Sequence, residues 1–173
     1  MAIPDQSKWV GVAPTDPPQS IPATVDFEHV NNKQAFLVGG VAPAVVAKYT
    51  LAQLVNPVGS GVIMYVTKAL ICSLDTAVLE QYRLTYHNTL LANAIRTGRN
   101  KYSGEPVGQG AIRYENNAVI PGLTVSYKCM DSRYVRPEWL FNPPIRLDAE
   151  KGIVLVIETL NIRATFHFEW FEL

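Results

Sequence analysis

The chain has 173 residues, of which 48% are hydrophobic and only 17% are charged, whereas a typical globular domain has about 25% charged residues. Lysine plus arginine equals aspartate plus glutamate at 15 each, so no net charge attracts the chain to nucleic acid or to an anionic membrane. The composition predicts one soluble domain with few charged side chains to cover its surface. This favours a subunit of an assembly over a free monomer.

The first 24 residues differ from the rest because their five prolines oppose helix and sheet interior and favour extended chain. We predict an N-terminal arm over residues 1–24 and a single β-sandwich domain over residues 25–173. The arm carries apolar side chains suited to contact with a partner, namely Trp9, Val10, Val12 and Ile21. A loose terminus explains the same composition equally well.

A strong breaker, Asn56-Pro57-Val58-Gly59-Ser60-Gly61, separates two apolar runs and continues neither a strand nor a helix. After it, residues 62–74 are apolar in both alternating phases. A strand of that kind needs cover on both faces, which a central strand of a sandwich or an oligomer interface provides.

Alternating apolar patterns predict about seven to nine short strands along the chain. They fall at residues 36–38, 45–55, 62–74, 80–87, 123–129, 145–147, 153–158 and 162–173. Residues 79–96 also fit a helix by spacing, but their threonine and tyrosine favour a strand. Residues 93–118 are predicted to be a long exposed loop, with short strands inside it as an alternative, and residues 131–144 an irregular stretch. The fold class predicted is all-β, an antiparallel sandwich.

Both cysteines, Cys72 and Cys129, lie in apolar strand-like runs, where a thiol usually packs as a small hydrophobe. We therefore expect buried free thiols and not a disulfide. No signal-peptide pattern opens the chain and no Asn-x-Ser/Thr acceptor occurs in it, so secretion is not expected. The longest apolar stretch, residues 35–47, is shorter than the roughly 20 residues of a membrane span.

No motif in the sequence indicates catalysis. A metal site of the cupin type needs clustered ligands such as His-x-His, and the three histidines, His29, His87 and His167, form no such pair. His167 and Glu169 share one face of the last strand and could meet His87, although structural or solvent-facing roles explain them better. Ser60 lacks the spacing of a nucleophile elbow. Asp148 and Glu150 fit a turn. We predict no catalytic residue, metal or cofactor.

Two local groups combine basic and aromatic side chains, which together can bind sugar, phosphate or an acidic protein surface. The first is Arg96, Arg99, Lys101 and Arg113 with Tyr102 and Tyr114, and the second is Arg133, Tyr134, Arg136 and Trp139. A solvated loop explains either group as well.

Three stretches together resemble the jelly-roll proteins of tailed-bacteriophage virions. They are the 56–61 breaker before its apolar strand, Pro144-Ile145-Arg146-Leu147 with a turn ending at Gly152 before Ile153-Val154-Leu155-Val156, and Phe166-His167-Phe168-Glu169-Trp170. The resemblance covers residues 45–173, and its motifs mark strand edges and turns. It implies a jelly-roll-like antiparallel β-sandwich that forms a homotrimer on the virion surface, as a capsid decoration (cement) protein or as the knob of a fibre.

The leading hypothesis is a non-enzymatic virion structural protein, made in the host cytoplasm, that stabilises the phage head. Its partners would be further copies of itself and the major capsid protein or another virion protein, bound multivalently and through the arm. The alternative is a receptor-binding module in which loops 93–118 and 131–142 hold a host glycan, with Trp139, Tyr102 or Tyr134 stacking on it. A cupin-type enzyme is the third hypothesis.

Overall fold

The computed structural model describes residues 34–74, 80–101, 107–120, 126–132 and 138–173. These residues contain ten β-strands. In chain order they are β1 (Ala35–Ala42), β2 (Tyr49–Val55), β3 (Met64–Ser73), β4 (Glu80–Tyr86), β5 (Asn93–Asn100), β6 (Val107–Asn117), β7 (Ser126–Ser132), β8 (Glu138–Leu147), β9 (Gly152–Ile157) and β10 (Ala164–Glu172). Over the same ranges, no helix has the length and apolar character needed to cross a membrane.

All ten strands form one antiparallel sheet in the order β7-β4-β9-β2-β6-β5-β1-β10-β3-β8. The sheet curls on itself, so that its first half, β7 to β6, faces its second half, β5 to β8. One hydrophobic core fills the space between them and takes side chains from both halves. The prediction of an all-β, sandwich-like fold is confirmed, with the difference that the two layers are continuous through the β6–β5 pair.

The curl is centred on Trp170, whose side chain is 1% exposed. A Cβ atom on Gly98 would lie 2.1 Å from Cη2 of the indole, and one on Gly110 would lie 2.6 Å from Cζ2. The indole therefore needs bare backbone on β5 and β6, where any larger residue would collide with it. Most of residues 93–118, predicted as a long exposed loop with short strands as an option, belongs to β5 and β6, and glycines of these strands pack against a buried tryptophan.

A buried carboxylate ties the end of β10 to β6. Glu172 is 7% exposed, and its Oε1 accepts hydrogen bonds from the backbone N–H of Gln109 (2.8 Å), from that of Gly110 (3.0 Å) and from Nε1 of Trp170 (2.9 Å). Three donors on one oxygen compensate the carboxylate for its lost hydration. Glu172 thus fixes the position of the indole against the glycine-bearing strands.

Strands β2 and β9 are buried on both faces. Their inner face joins the core, and on their outer face Leu51, Val154 and Val156 pack against Leu91, which is 2% exposed. Leu91 belongs to a segment, residues 87–92, that we call the strap. Cover for the second face of β2 and β9 is therefore supplied by the chain itself, as in a central strand of a sandwich.

Gln53 holds the strap in place from the middle of β2. Its side chain is fully buried; Nε2 donates to the carbonyl oxygens of His87 (2.8 Å) and Thr89 (2.9 Å), and Oε1 accepts from the N–H of Leu91 (3.0 Å). Arg113 adds hydrogen bonds to the carbonyl oxygens of Leu91 and Ala92. A buried amide with all these partners satisfied anchors a segment that has no regular structure of its own.

Strand β8 lies at one edge of the sheet and contains Pro143 and Pro144. The pairing with β3 is interrupted between Val66 and Lys68, opposite these prolines, and the Asn142-Pro143 peptide bond is cis. Proline is tolerated in an edge strand at a bulge, where its missing N–H interrupts no ladder. The irregular structure predicted for residues 131–144 is therefore wrong from Glu138 onward, and also for Asp131 and Ser132, which end β7.

The predicted breaker is confirmed as a turn, with Gly59 and Gly61 at φ of +70° and +73°. The backbone of Asn56 then joins this turn to the one at residues 148–151: its N–H donates to Lys151 (2.9 Å) and its carbonyl accepts from Glu150 (2.9 Å). The strand predicted over residues 80–87 is also confirmed, as β4, against the helical alternative.

Candidate functional site

The residues predicted to bind partners separate in the structure. The arm residues Trp9, Val10, Val12 and Ile21 lie outside the described ranges, as do Tyr102, Arg133 and Tyr134. Arg96 belongs to β5, and Arg99 lies on the same strand with its side chain exposed. Arg113 contacts the strap, away from Lys101, which lies beside β1. The first basic group is thus not one patch.

Trp139 is the clearest correction among the candidate residues. Its side chain is 1% exposed and belongs to the core between the two halves of the sheet. It stands on β8 opposite Ala69, with its neighbours Glu138 and Leu140 pointing outward. A ring enclosed in this way cannot stack on an external sugar, so the prediction that Trp139 binds a glycan is wrong.

The strongest concentration of charge lies on the outer face, by which we mean the side of β1, β10, β3 and β8 that points away from the core. Glu169 is its centre. Its Oε2 lies 2.5 Å from Nζ of Lys101 and its Oε1 lies 3.0 Å from Nε2 of His167. Lys68 is 4.0 Å from Oε1 of Glu169 and 2.5 Å from Oε1 of Glu138. The charges on this face therefore largely neutralise one another.

This network holds the pKa of the Glu169 carboxyl well below its usual value. Hydrogen bonding to His167 is the main cause, burial opposes it, and Lys101 adds a further hydrogen bond and charge attraction, which leaves the pKa at about 2 against 4.5. The pKa of Lys68 is raised, mainly by its hydrogen bond to Glu138. Both shifts indicate that the charged forms are paired in the folded protein.

Acid should therefore destabilise the protein through Glu169. Because its pKa is lower when folded, the carboxylate stabilises the fold above the unfolded value of 4.5, and this contribution is lost as pH falls from about 4.5 to about 2. We expect Glu169→Gln to be less stable than wild type near neutral pH, with the difference shrinking across that window. Urea unfolding at a series of pH values measures it.

Glu150→Gln is the matched control, since Glu150 is exposed in a turn away from the outer face. It should change the free energy of unfolding at neutral pH by no more than about 0.5 kcal/mol, as is usual for an exposed position. A Glu169→Gln profile that runs parallel to wild type from neutral pH to pH 2 would contradict the role given to this carboxylate.

Apolar side chains accompany the charge network on the outer face. Leu140 is 73% exposed, Val41 is 48% exposed, and Leu74, just beyond β3, is 43% exposed. Tyr65 and Phe171 stack with ring centroids 5.0 Å apart. Cys72 is also on this face; it is a free thiol as expected, but half-buried and not buried. The side chain of Cys129 lies outside the described part of the structure.

The two histidines that the structure describes, His87 and His167, form no common site, and His29 lies outside the described residues. His87 lies in the strap, where its backbone N–H donates to the carbonyl oxygen of Gly152 (2.9 Å), whereas His167 stands on β10 in the other half of the sheet. Burial lowers the pKa of His87, against an opposing attraction from Glu115. Among the residues that the structure describes, no three His, Cys, Asp or Glu side chains come together as a metal site would require.

The sequence contained one overlooked sign of the outer-face network. Lys68 interrupts an apolar strand, and the ammonium group of a lysine in such a position needs a nearby carboxylate or access to solvent. Glu138 and Glu169 supply it. Their meeting depends on how β8, β3 and β10 are aligned, which local patterns do not reveal.

We compared the chain with protein-family models, with curated proteins and with solved structures, and none of the three comparisons gave a match. The fold and the arrangement of the outer face therefore carry the functional interpretation.

Proposed function

We propose that this protein is a non-enzymatic structural subunit of a virion, a capsid decoration protein that binds the phage head as a homotrimer. The observation that carries the proposal is the outer face, where a charge network stands beside strongly exposed apolar side chains, of which Leu140 at 73% is the most exposed. The sequence resemblance to virion jelly-roll proteins supports the same class.

The chemistry of the outer face suits association. Burying an unpaired charge in an interface is costly, and the cost falls when the charge is already paired and hydrogen-bonded. Glu169 has Lys101 and His167 as partners, and Lys68 has Glu138. Another protein could therefore cover this face and gain the burial of Leu140 and Val41 at a lower desolvation cost than unpaired charges would impose.

A decoration protein also benefits from repetition. Linked copies engage a shell with an effective concentration that raises the overall affinity well beyond that of one contact. In this proposal, each copy supplies one outer face. In the first half of the sheet, the strap covers the outer side of β2 and β9. The outer face, in the second half, is then the surface for assembly.

Leu140→Asp is expected to disrupt this assembly without unfolding the subunit. The side chain points outward from an edge strand, so aspartate is tolerated in the monomer but places an unpaired charge in the interface. Wild type should be an oligomer at micromolar concentration by light scattering and should co-sediment with capsids. We expect the variant to be monomeric, with capsid binding weakened by about tenfold or more.

Val119→Asp is the control, since Val119 is 69% exposed in the loop after β6, on the other half of the sheet. It should assemble and bind as wild type does. A wild-type protein that is monomeric at micromolar concentration and absent from purified particles would refute the proposal.

The receptor-binding alternative has less support. Trp139, its proposed stacking residue, is enclosed in the core, and Tyr102 and Tyr134 lie outside the described residues. A glycan array separates the alternatives, because specific binding by the intact protein would favour a fibre-knob role.

A further inference from the structure

A cavity of about 460 Å³ opens where β2 ends and the 56–61 turn begins. It is lined by Val55 of β2 and Ala111 of β6, which pair directly, and by two exposed apolar side chains, Val58 of the turn and Leu90 of the strap. Sites for small molecules have volumes of roughly 300–1,000 Å³ and are mostly apolar, with a few polar groups that orient the ligand. This cavity has both properties, and it lies apart from the outer face.

Arg113 lines the cavity, and hydrogen bonds to the strap fix the orientation of its guanidinium. Nε donates to the carbonyl oxygen of Leu91, and Nη2 donates to that of Ala92 (3.1 Å). These bonds use one edge of the planar group and leave the Nη1–Nη2 edge free to hold a carboxylate through two parallel hydrogen bonds. The nearby carboxylate of Glu115 accepts instead from the N–H of Ala92 (3.1 Å). Within the described ranges, Arg113 forms no ion pair.

Glu150 brings the opposite charge to the same cavity. Its N–H donates to the carbonyl oxygen of Asn56 (2.9 Å), which holds it beside the end of β2. Its carboxylate is paired with no cation of the described chain, Arg113 included. Two opposite charges that line one cavity without meeting are complementary to a molecule that carries both.

We propose that this cavity binds a free amino acid with an apolar side chain. The carboxylate of the ligand accepts hydrogen bonds from the free edge of the Arg113 guanidinium, and its ammonium group faces Glu150. The apolar side chain packs between Val58 and Leu90. A molecule with only one of the two charges would leave either Arg113 or Glu150 without a partner and partly removed from water, which is costly. The proposal does not depend on assembly through the outer face.

Isothermal titration calorimetry of the full chain with L-leucine tests the proposal. L-leucinamide lacks the carboxylate, N-acetyl-L-leucine lacks the ammonium group, and glycine lacks the apolar side chain. We expect L-leucine to bind and each of the other three to bind about tenfold more weakly or worse. These comparisons use the wild-type protein throughout, because Arg113 also holds the strap and its substitution would change the fold around the cavity.

Glu150→Gln tests the contact with the ammonium group. It should weaken the binding of L-leucine by about tenfold, whereas the affinity for N-acetyl-L-leucine, which has no ammonium group, should not change. An equal effect on both ligands would overturn the assignment of Glu150.

Val58→Asp should abolish the binding of L-leucine, because it places a charge in the apolar wall of the cavity. Val46→Asp is the matched control, since Val46 is 84% exposed near the opposite end of β2, and it should bind as wild type does. No heat of binding with L-leucine at millimolar concentration, or equal affinity for L-leucine and L-leucinamide, would overturn the proposal. The titration is done on the free protein, so its result is separate from that of capsid co-sedimentation.

Discussion

Replacing Trp170 by alanine should lower the free energy of unfolding by about 3–5 kcal/mol, the usual cost of truncating a large buried aromatic side chain. The substitution leaves a void against the bare backbone of Gly98 and Gly110 and removes one of the three donors to the buried carboxylate of Glu172. Urea unfolding followed by circular dichroism measures the loss. A decrease below about 1 kcal/mol would show that the curl of the sheet does not depend on this residue.

A double-mutant cycle checks the geometry behind this prediction. Gly98→Ala alone should cost roughly 1–3 kcal/mol, because its methyl group collides with the indole. Combined with Trp170→Leu, the same substitution should cost much less, since the colliding ring atoms are gone. Gly59→Ala is the contrast: no atom lies within 4 Å of its Cβ position, so its cost comes from the positive φ and should be unaffected by the residue at position 170.

Replacing Gln53 by alanine should destabilise the protein by about 2–4 kcal/mol, because each buried polar group left without a partner costs about 1–3 kcal/mol. The carbonyl oxygens of His87 and Thr89 and the N–H of Leu91 all lose their partner. The strap would then loosen and expose the apolar outer face of β2 and β9. Faster hydrogen exchange at Leu91, together with urea unfolding, reports this change.

Gln109→Ala controls for the loss of a glutamine side chain as such, since the side chain of Gln109 is exposed on β6. It should change the free energy of unfolding by no more than about 0.5 kcal/mol. If Gln53→Ala is equally mild, the strap is held by the packing of Leu91 and not by the buried amide.

The sequence predicted most of the strands because a half-buried strand alternates in and out with a period of two residues. β10 shows this well: Phe166, Phe168 and Trp170 face the core while His167 and Glu169 face outward. The turn at residues 56–61 was predicted from its composition, because proline and two glycines exclude a strand there. These features are local, and local patterns suffice to find them.

The extent of β5 and β6 was not predicted, because it depends on a contact between distant parts of the chain. The glycines of these strands are needed because the indole of Trp170 lies on them, and that contact joins residues about 60 or more positions apart in the chain. Without knowledge of the contact, glycines in a polar segment indicate a loop. Trp139 was misplaced in a similar way, since the prolines around it indicate irregular chain unless one knows that β8 is an edge strand.

The candidate site was predicted in pieces. His167 and Glu169 were expected on one face, whereas Lys101 was placed in a basic group able to bind an external ligand, and its ion pair with Glu169 was not predicted. The pairing of β1 with both β10 and β5 is what brings Lys101 to that carboxylate. Strands that are apolar on both faces need a second element to pack against. The sequence pattern does not show whether that element is a neighbouring subunit or a strap of the same chain.

The adjacent prolines of β8 limit how the protein can grow into larger assemblies. An edge strand with a free row of N–H groups invites the edge of another molecule, and repetition of that contact leads to open-ended fibres. Two consecutive residues without N–H groups interrupt such a row in β8. Contacts that another molecule makes with β8 would therefore have to use side chains and not a continuous row of backbone hydrogen bonds.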